Sequence, residues 1–109
     1  MSATLNIFLA TLTEIVGDFG FKNFARTGAA AGFMQGTLGY IGVIYFLIKS
    51  LKKANVLYVN GAWDAISAIL ESLAAYIILG ERFNHPMQYV AIALITSGMV
   101  LLRYFGESY

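Results

Sequence analysis

The stretch from Leu9 to Lys22, LATLTEIVGDFGFK, decides the reading because it sets a carboxylate, Glu14, in the middle of an apolar helix. Ile7, Phe8, Leu9, Leu12, Ile15, Val16, Phe19 and Phe21 around it suit a membrane span. An ionised acid at mid-depth costs roughly 2.5 to 3.5 kcal/mol on insertion scales, so it persists where it faces a cavity, a partner or a substrate. Asp18 follows one turn later, and helical geometry places both acids on one stripe. Glu14 is therefore the expected functional centre.

The rest of the chain has the same character. Of 109 residues, 59% are hydrophobic and 12% charged, about half the charged fraction of soluble domains, and the mean hydropathy is +0.70. A hydrocarbon core of about 30 Å takes about 20 residues per crossing, so four crossings with very short loops use nearly the whole length. The expected fold is an all-α membrane protein, a single four-helix transmembrane domain over residues 1–109 with helices near 4–25, 32–51, 56–79 and 87–104. The apolar start lacks a basic n-region and a small-residue cleavage site, so it is expected to be the first span and not a removable signal.

Composition also excludes functions. There is no cysteine, and His85 is the single histidine, so thiolate and histidine metal sites are not expected. A net charge of +1 offers no basic surface for nucleic acid. No nucleophile, base and orienting group form a recognisable set, so no enzyme activity, cofactor or metal is expected.

Along the second segment, Gly32, Gly36, Gly39 and Gly42 recur at helical spacing, and Gly32 and Gly36 form a GxxxG pair suited to close helix contact. Lys49, Lys52 and Lys53 close that helix as interfacial anchors. The third segment carries Asn60, Asp64, Ser67 and Glu71 at steps of four, three and four, a polar face beside Trp63 that does not suit lipid. Asp64 and Glu71 have no basic residue on their own helix, so each is protonated, solvated or paired across an interface. The turn 80–86, GERFNHP, puts Pro86 at the start of the fourth helix, whose Ile92, Ile95, Met99 and Leu102 form a contact face. Within the turn, Glu81 and Arg82 are expected to organise the turn and the membrane boundary, and Asp18 is placed to pair with Lys22 four residues on or to serve substrate access. Basic residues divide four to three between the two sides: Lys49, Lys52, Lys53 and Arg103 against Lys22, Arg26 and Arg82. So small a bias allows insertion in both orientations and an antiparallel homodimer.

These residues resemble the small multidrug resistance transporters, along the full length. TEIVGDFGFK is similar to that family's pattern of an acid, two apolar residues, a glycine and a lysine eight positions after the acid: Glu14, Gly17 and Lys22. Tyr40 and Trp63 stand where the family has aromatic binding residues, and Gly80, Glu81, Arg82 and Pro86 are similar to its turn. The resemblance implies a proton-coupled exporter of organic cations, working in the lipid bilayer as an antiparallel dimer, with protons as the coupling ion. It gives Glu14, Tyr40 and Trp63 as proton and substrate residues; the polar face of the third helix adds Asn60 and Asp64 to them, and Asp18, Ser67 and Glu71 are candidate accessories. Two acids in one apolar chamber repel each other, so protons and a lipophilic cation compete there. Aromatic faces add about 0.5 to 2 kcal/mol of cation-π attraction.

Departures from the family pattern point to a particular passenger. Asn60 replaces a tyrosine, Asp18 and Asp64 replace small hydroxyl residues, Glu71 replaces an apolar residue, and the glycine-rich kink reads Ala65, Ile66, Ser67. Extra acids suit a polyamine or guanidinium-like cation better than a bulky aromatic one. The competing expectation is a non-transporting scaffold or anchor in a larger membrane complex, with the extra acids facing partner subunits.

Overall fold

The computed structural model describes residues 2–105, and they form four helices joined by short turns: α1 (Ala3–Thr27), α2 (Ala30–Leu51), α3 (Val56–Ile78) and α4 (Pro86–Tyr104). Several boundaries have a local cause. Ser2 caps α1 by accepting from the Leu5 N–H at 3.1 Å, and Gly28 ends it at φ 72°, a left-handed conformation open to glycine. Asn55 caps α3 through the Tyr58 N–H at 2.8 Å. At α4 the His85 ring accepts from the Met87 N–H while Gln88 accepts from the His85 N–H, each at 3.0 Å, and Pro86 occupies the first helical position.

In space the helices lie in the order α2, α1, α3, α4, with only a slight contact between α2 and α3. The slab is 17 Å thick, against roughly 10 to 12 Å for one helix with its side chains. The helices holding the acids, α1 and α3, are thus the inner pair. Among the described residues, α2, α3 and α4 are long and apolar enough to cross a bilayer. By contrast, α1 carries Glu14, Asp18, Lys22 and Arg26 and buries Ala3, Asn6, Ile7, Ala10, Thr11, Gly17 and Gly20 against its neighbours. Thr11 and Thr13 keep their hydroxyls satisfied inside this packing by donating to carbonyls of their own helix, at 3.0 Å to Ile7 and 2.8 Å to Ala10.

Glycine sets the distance between α1 and α2. A Cβ on Gly20 would lie 2.6 Å from the Gly36 nitrogen, and one on Gly39 would lie 2.5 Å from the Gly17 backbone. No side chain fits there, so the two backbones touch. The α1–α3 contact is looser and uses small and aliphatic residues: Ala3 and Ile7 meet Tyr58, Val59 and Ala62, with a hydroxyl contact of 2.7 Å between Thr4 and Tyr58. At the edge of the slab α4 has no buried residue, and it turns Ile92, Ile95, Met99 and Leu102 inward. Through Ala65, Ile66 and Ser67, α3 runs as one uninterrupted helix.

Candidate functional site

The glycine seam has a direct consequence for the acids. Because Gly17 lacks a side chain, the Tyr40 ring of α2 lies over it, and the Tyr40 hydroxyl donates a short hydrogen bond to Asp18. From the other side, α3 brings Ser67, whose hydroxyl donates to Glu14 Oε1 at 2.6 Å and lies 3.4 Å from Glu71 Oε2. The carboxylates of Glu14, Asp18 and Glu71 converge so that one oxygen of each lies within 4.8 Å of the others.

None of these three acids is in an ion pair among the described residues, where the one such pair is Lys22 with Glu81 at 3.7 Å. Three carboxyls in a half-buried pocket between apolar helices, with no fixed cation, need protons or a mobile cation to balance their charge. The arrangement suits an exchangeable positive charge.

The polar face of α3 does not act as a unit. Ser67 and Glu71 reach the cluster, whereas Asn60 and Asp64 are exposed on the single chain. Trp63 packs against the α1–α3 core and leaves its buried indole N–H without a partner. One pairing that the spacing allows is not made. Lys22 does not pair with Asp18: its ammonium reaches across to Glu81, and Asp18 takes the phenol of Tyr40 instead. Arg82 organises the turn through backbone carbonyls. The Arg82 guanidinium lies 3.5 Å from the Tyr76 ring centroid and donates at 2.8 Å to the carbonyls of Tyr76 and Glu81, which satisfies the open end of α3.

Sequence reasoning missed one polar group, Asn6. It is 1% exposed, donates to the Ser2 carbonyl at 3.2 Å, and leaves its own oxygen unpaired. Its signal was an amide one turn into an apolar span.

Residues 3–95 match the Small Multidrug Resistance protein family. The chain belongs to that family. A quaternary ammonium compound-resistance protein, QacG, from Staphylococcus sp. (strain ST94) is 31% identical over 96% of this chain and 97% of its own length. The multidrug transporter PA4990 of Pseudomonas aeruginosa is 23% identical over 99% of this chain and 97% of its own length. Together with its long apolar helices, membership of the small multidrug resistance family makes the chain an integral, multi-pass membrane protein of a transporter family. Asp18 and Glu71 are the residues whose carboxylates gather around Glu14.

Proposed function

We propose that the protein is a carrier and not an enzyme, exchanging protons for an organic cation with a compact amine or guanidinium-like head at the Glu14 cluster. The observation that carries this reading is the convergence of Glu14, Asp18 and Glu71 with no lysine or arginine paired to them. Ser67 and Tyr40 donate to Glu14 and Asp18, which fixes two of the acids in place. A cation entering the cluster displaces whatever protons balance it, so binding and proton release are one event.

The functional unit in this reading is an antiparallel pair of chains. Asn60 and Asp64 are exposed on a helix of spanning length and need cover that lipid cannot give. A second copy, inverted, closes that face and sets a second acid cluster across a shared chamber. The near-even division of basic residues leaves both orientations open.

The test is cation-driven proton release by the purified protein, followed by proton-coupled uptake in liposomes. Wild type should release protons on adding the cation and drive uptake against a pH gradient. Glu14→Gln should insert normally and do neither, and Glu14→Asp should keep part of the activity. Wild-type protein that neither binds cations nor releases protons would remove the proposal.

A further inference from the structure

The two ends of the bundle use their cations differently. At the end holding the 80–85 turn, Lys22 is paired with Glu81, and Arg82 lies on the Tyr76 ring with two carbonyl contacts. At the opposite end the turn between α2 and α3 carries Lys52 and Lys53, and the last turn of α4 carries Arg103. None of these three is in an ion pair among the described residues. Lys49, one turn earlier on α2, is engaged by Tyr45 of its own helix, 3.5 Å from the hydroxyl. The acids of the described residues lie elsewhere: α2 and α4 contain none, Asp64 lies roughly 12 Å along α3 from Val56, and Glu14 lies roughly 16 Å along α1 from Ala3.

Beside these cations the amino end of α3 and the carboxyl end of α4 leave a cleft of about 420 Å³ that no residue of α1 or α2 lines. The buried Tyr58 closes its floor, with its hydroxyl in contact with Thr4 of α1. Leu57, Leu101, Leu102 and Phe105 make its walls apolar, and Gly98 leaves it open toward the middle of α4, a run of roughly 10 Å from residue 98 to residue 105. Asn55, the N-cap of α3, also lines it, so the positive end of that helix's dipole opens into the cleft.

Charge and lining together choose the occupant. A cation is repelled by Lys52, Lys53 and Arg103, and a soluble anion gains nothing from walls of leucine and phenylalanine. A zwitterionic lipid fills the cleft but sets its own ammonium among like charges. We propose that the cleft seats an anionic phospholipid, with its phosphate at Lys52, Lys53 and Arg103 and the start of one acyl chain between α3 and α4. Each basic residue at a membrane surface strengthens the hold on anionic lipid by about fivefold. The inference is independent of the exchange reading, because it concerns the end of the bundle away from the Glu14 cluster.

The test titrates the full-length protein in detergent micelles with phosphatidylglycerol and with phosphatidylcholine of the same acyl chains, and counts bound lipid by native mass spectrometry. Wild type should hold its first phosphatidylglycerol about tenfold more tightly than phosphatidylcholine. Lys52→Gln, Lys53→Gln and Arg103→Gln should each reduce that preference roughly threefold, and the three together should bring it within about twofold of none. Arg26→Gln, the same charge change at the other end, should leave it intact. All four positions are exposed, so these variants keep the fold and decide the question even where a bulkier change does not assemble. Gly98→Phe, at a position where a Cβ meets nothing within 4 Å, fills the cleft and should weaken phosphatidylglycerol at least fivefold. Equal retention of the two lipids by wild type would overturn the proposal, as would a loss in Arg26→Gln matching that in Arg103→Gln, which would mark general attraction to a basic protein. So would undiminished binding in Gly98→Phe, a change of its oligomeric state showing that the cleft seats a second copy, or displacement of the lipid by glycerol phosphate as readily as by more phosphatidylglycerol, which would leave an anion site without a chain.

Discussion

The two halves of the slab are built on opposite principles. On one side α1 and α2 meet backbone to backbone, with glycines where any Cβ would fall 2.4 to 2.8 Å from its neighbour. On the other, α3 and α4 leave a cavity of about 770 Å³, and α4 buries nothing. The difference shows which geometry is fixed and which is open. A glycine seam leaves one low-energy spacing and so holds Tyr40 over Asp18, whereas the open side supplies space next to Glu71 without restricting its shape.

The sharpest way to break this comparison is to add the same side chain to each half. Gly39→Leu forces bulk against the Gly17 backbone and should destabilise the bundle by about 3 kcal/mol or prevent its assembly. Gly98→Leu on α4, where a Cβ would meet nothing within 4 Å, should be neutral or stabilise by about 0.5 kcal/mol through helix propensity. Unfolding midpoints in detergent for the two variants compare the halves directly. Equal effects would mean that the seam is not the rigid element.

A smaller effect comes from removing a hydroxyl from each helix of the open half. Ser67→Ala deletes the 2.6 Å donor to Glu14 and should weaken cation binding roughly fivefold, corresponding to about 1 kcal/mol for one hydrogen bond to a charged group with partial replacement by water. Thr96→Ala deletes a hydroxyl that donates only to the carbonyl of Ile92, in its own helix, and binding of a tail-less cation should be unchanged. Titration of tetramethylammonium against both variants checks this. A Thr96→Ala loss as large as that of Ser67→Ala would show that the site extends along α4.

Much of this architecture was legible from residue spacing. Periodic glycine at 32, 36 and 39 marked a contact seam, and the inward row of Ile92, Ile95, Met99 and Leu102 on α4 was written in helical steps. The 3.6-residue repeat likewise put Glu14 beside Asp18 and Ser67 beside Glu71. What it could not give was the crossing of α1 over α3. Asn60, Asp64, Ser67 and Glu71 share one stripe, yet α1 meets α3 at Tyr58, Val59 and Ala62 near one end and reaches Ser67 and Glu71 only further along. Crossing geometry follows from how two surfaces interlock, which a single helix's periodicity does not contain. The Lys22–Glu81 contact was hidden for a related reason. Spacing favoured Asp18 as the nearby partner, but Tyr40 from another helix had already engaged that carboxylate.

That ion pair is where the smallest effect is expected. It joins the tight half to the loose half, from the end of α1 to the turn before α4, and it looks like a clasp between them. Yet both side chains are more than half exposed, and the separation is 3.7 Å. Exposed pairs of this kind contribute about 0 to 1 kcal/mol because water screens them and two long side chains must be held still. A double-mutant cycle with Lys22→Met and Glu81→Gln should therefore give a coupling energy below about 1 kcal/mol in unfolding, decreasing as salt is raised. A coupling of several kcal/mol that resists salt would mean that the pair is desolvated in the working assembly. The two halves would then be locked together at this end, and the openness of the α3–α4 side would belong to the isolated chain alone.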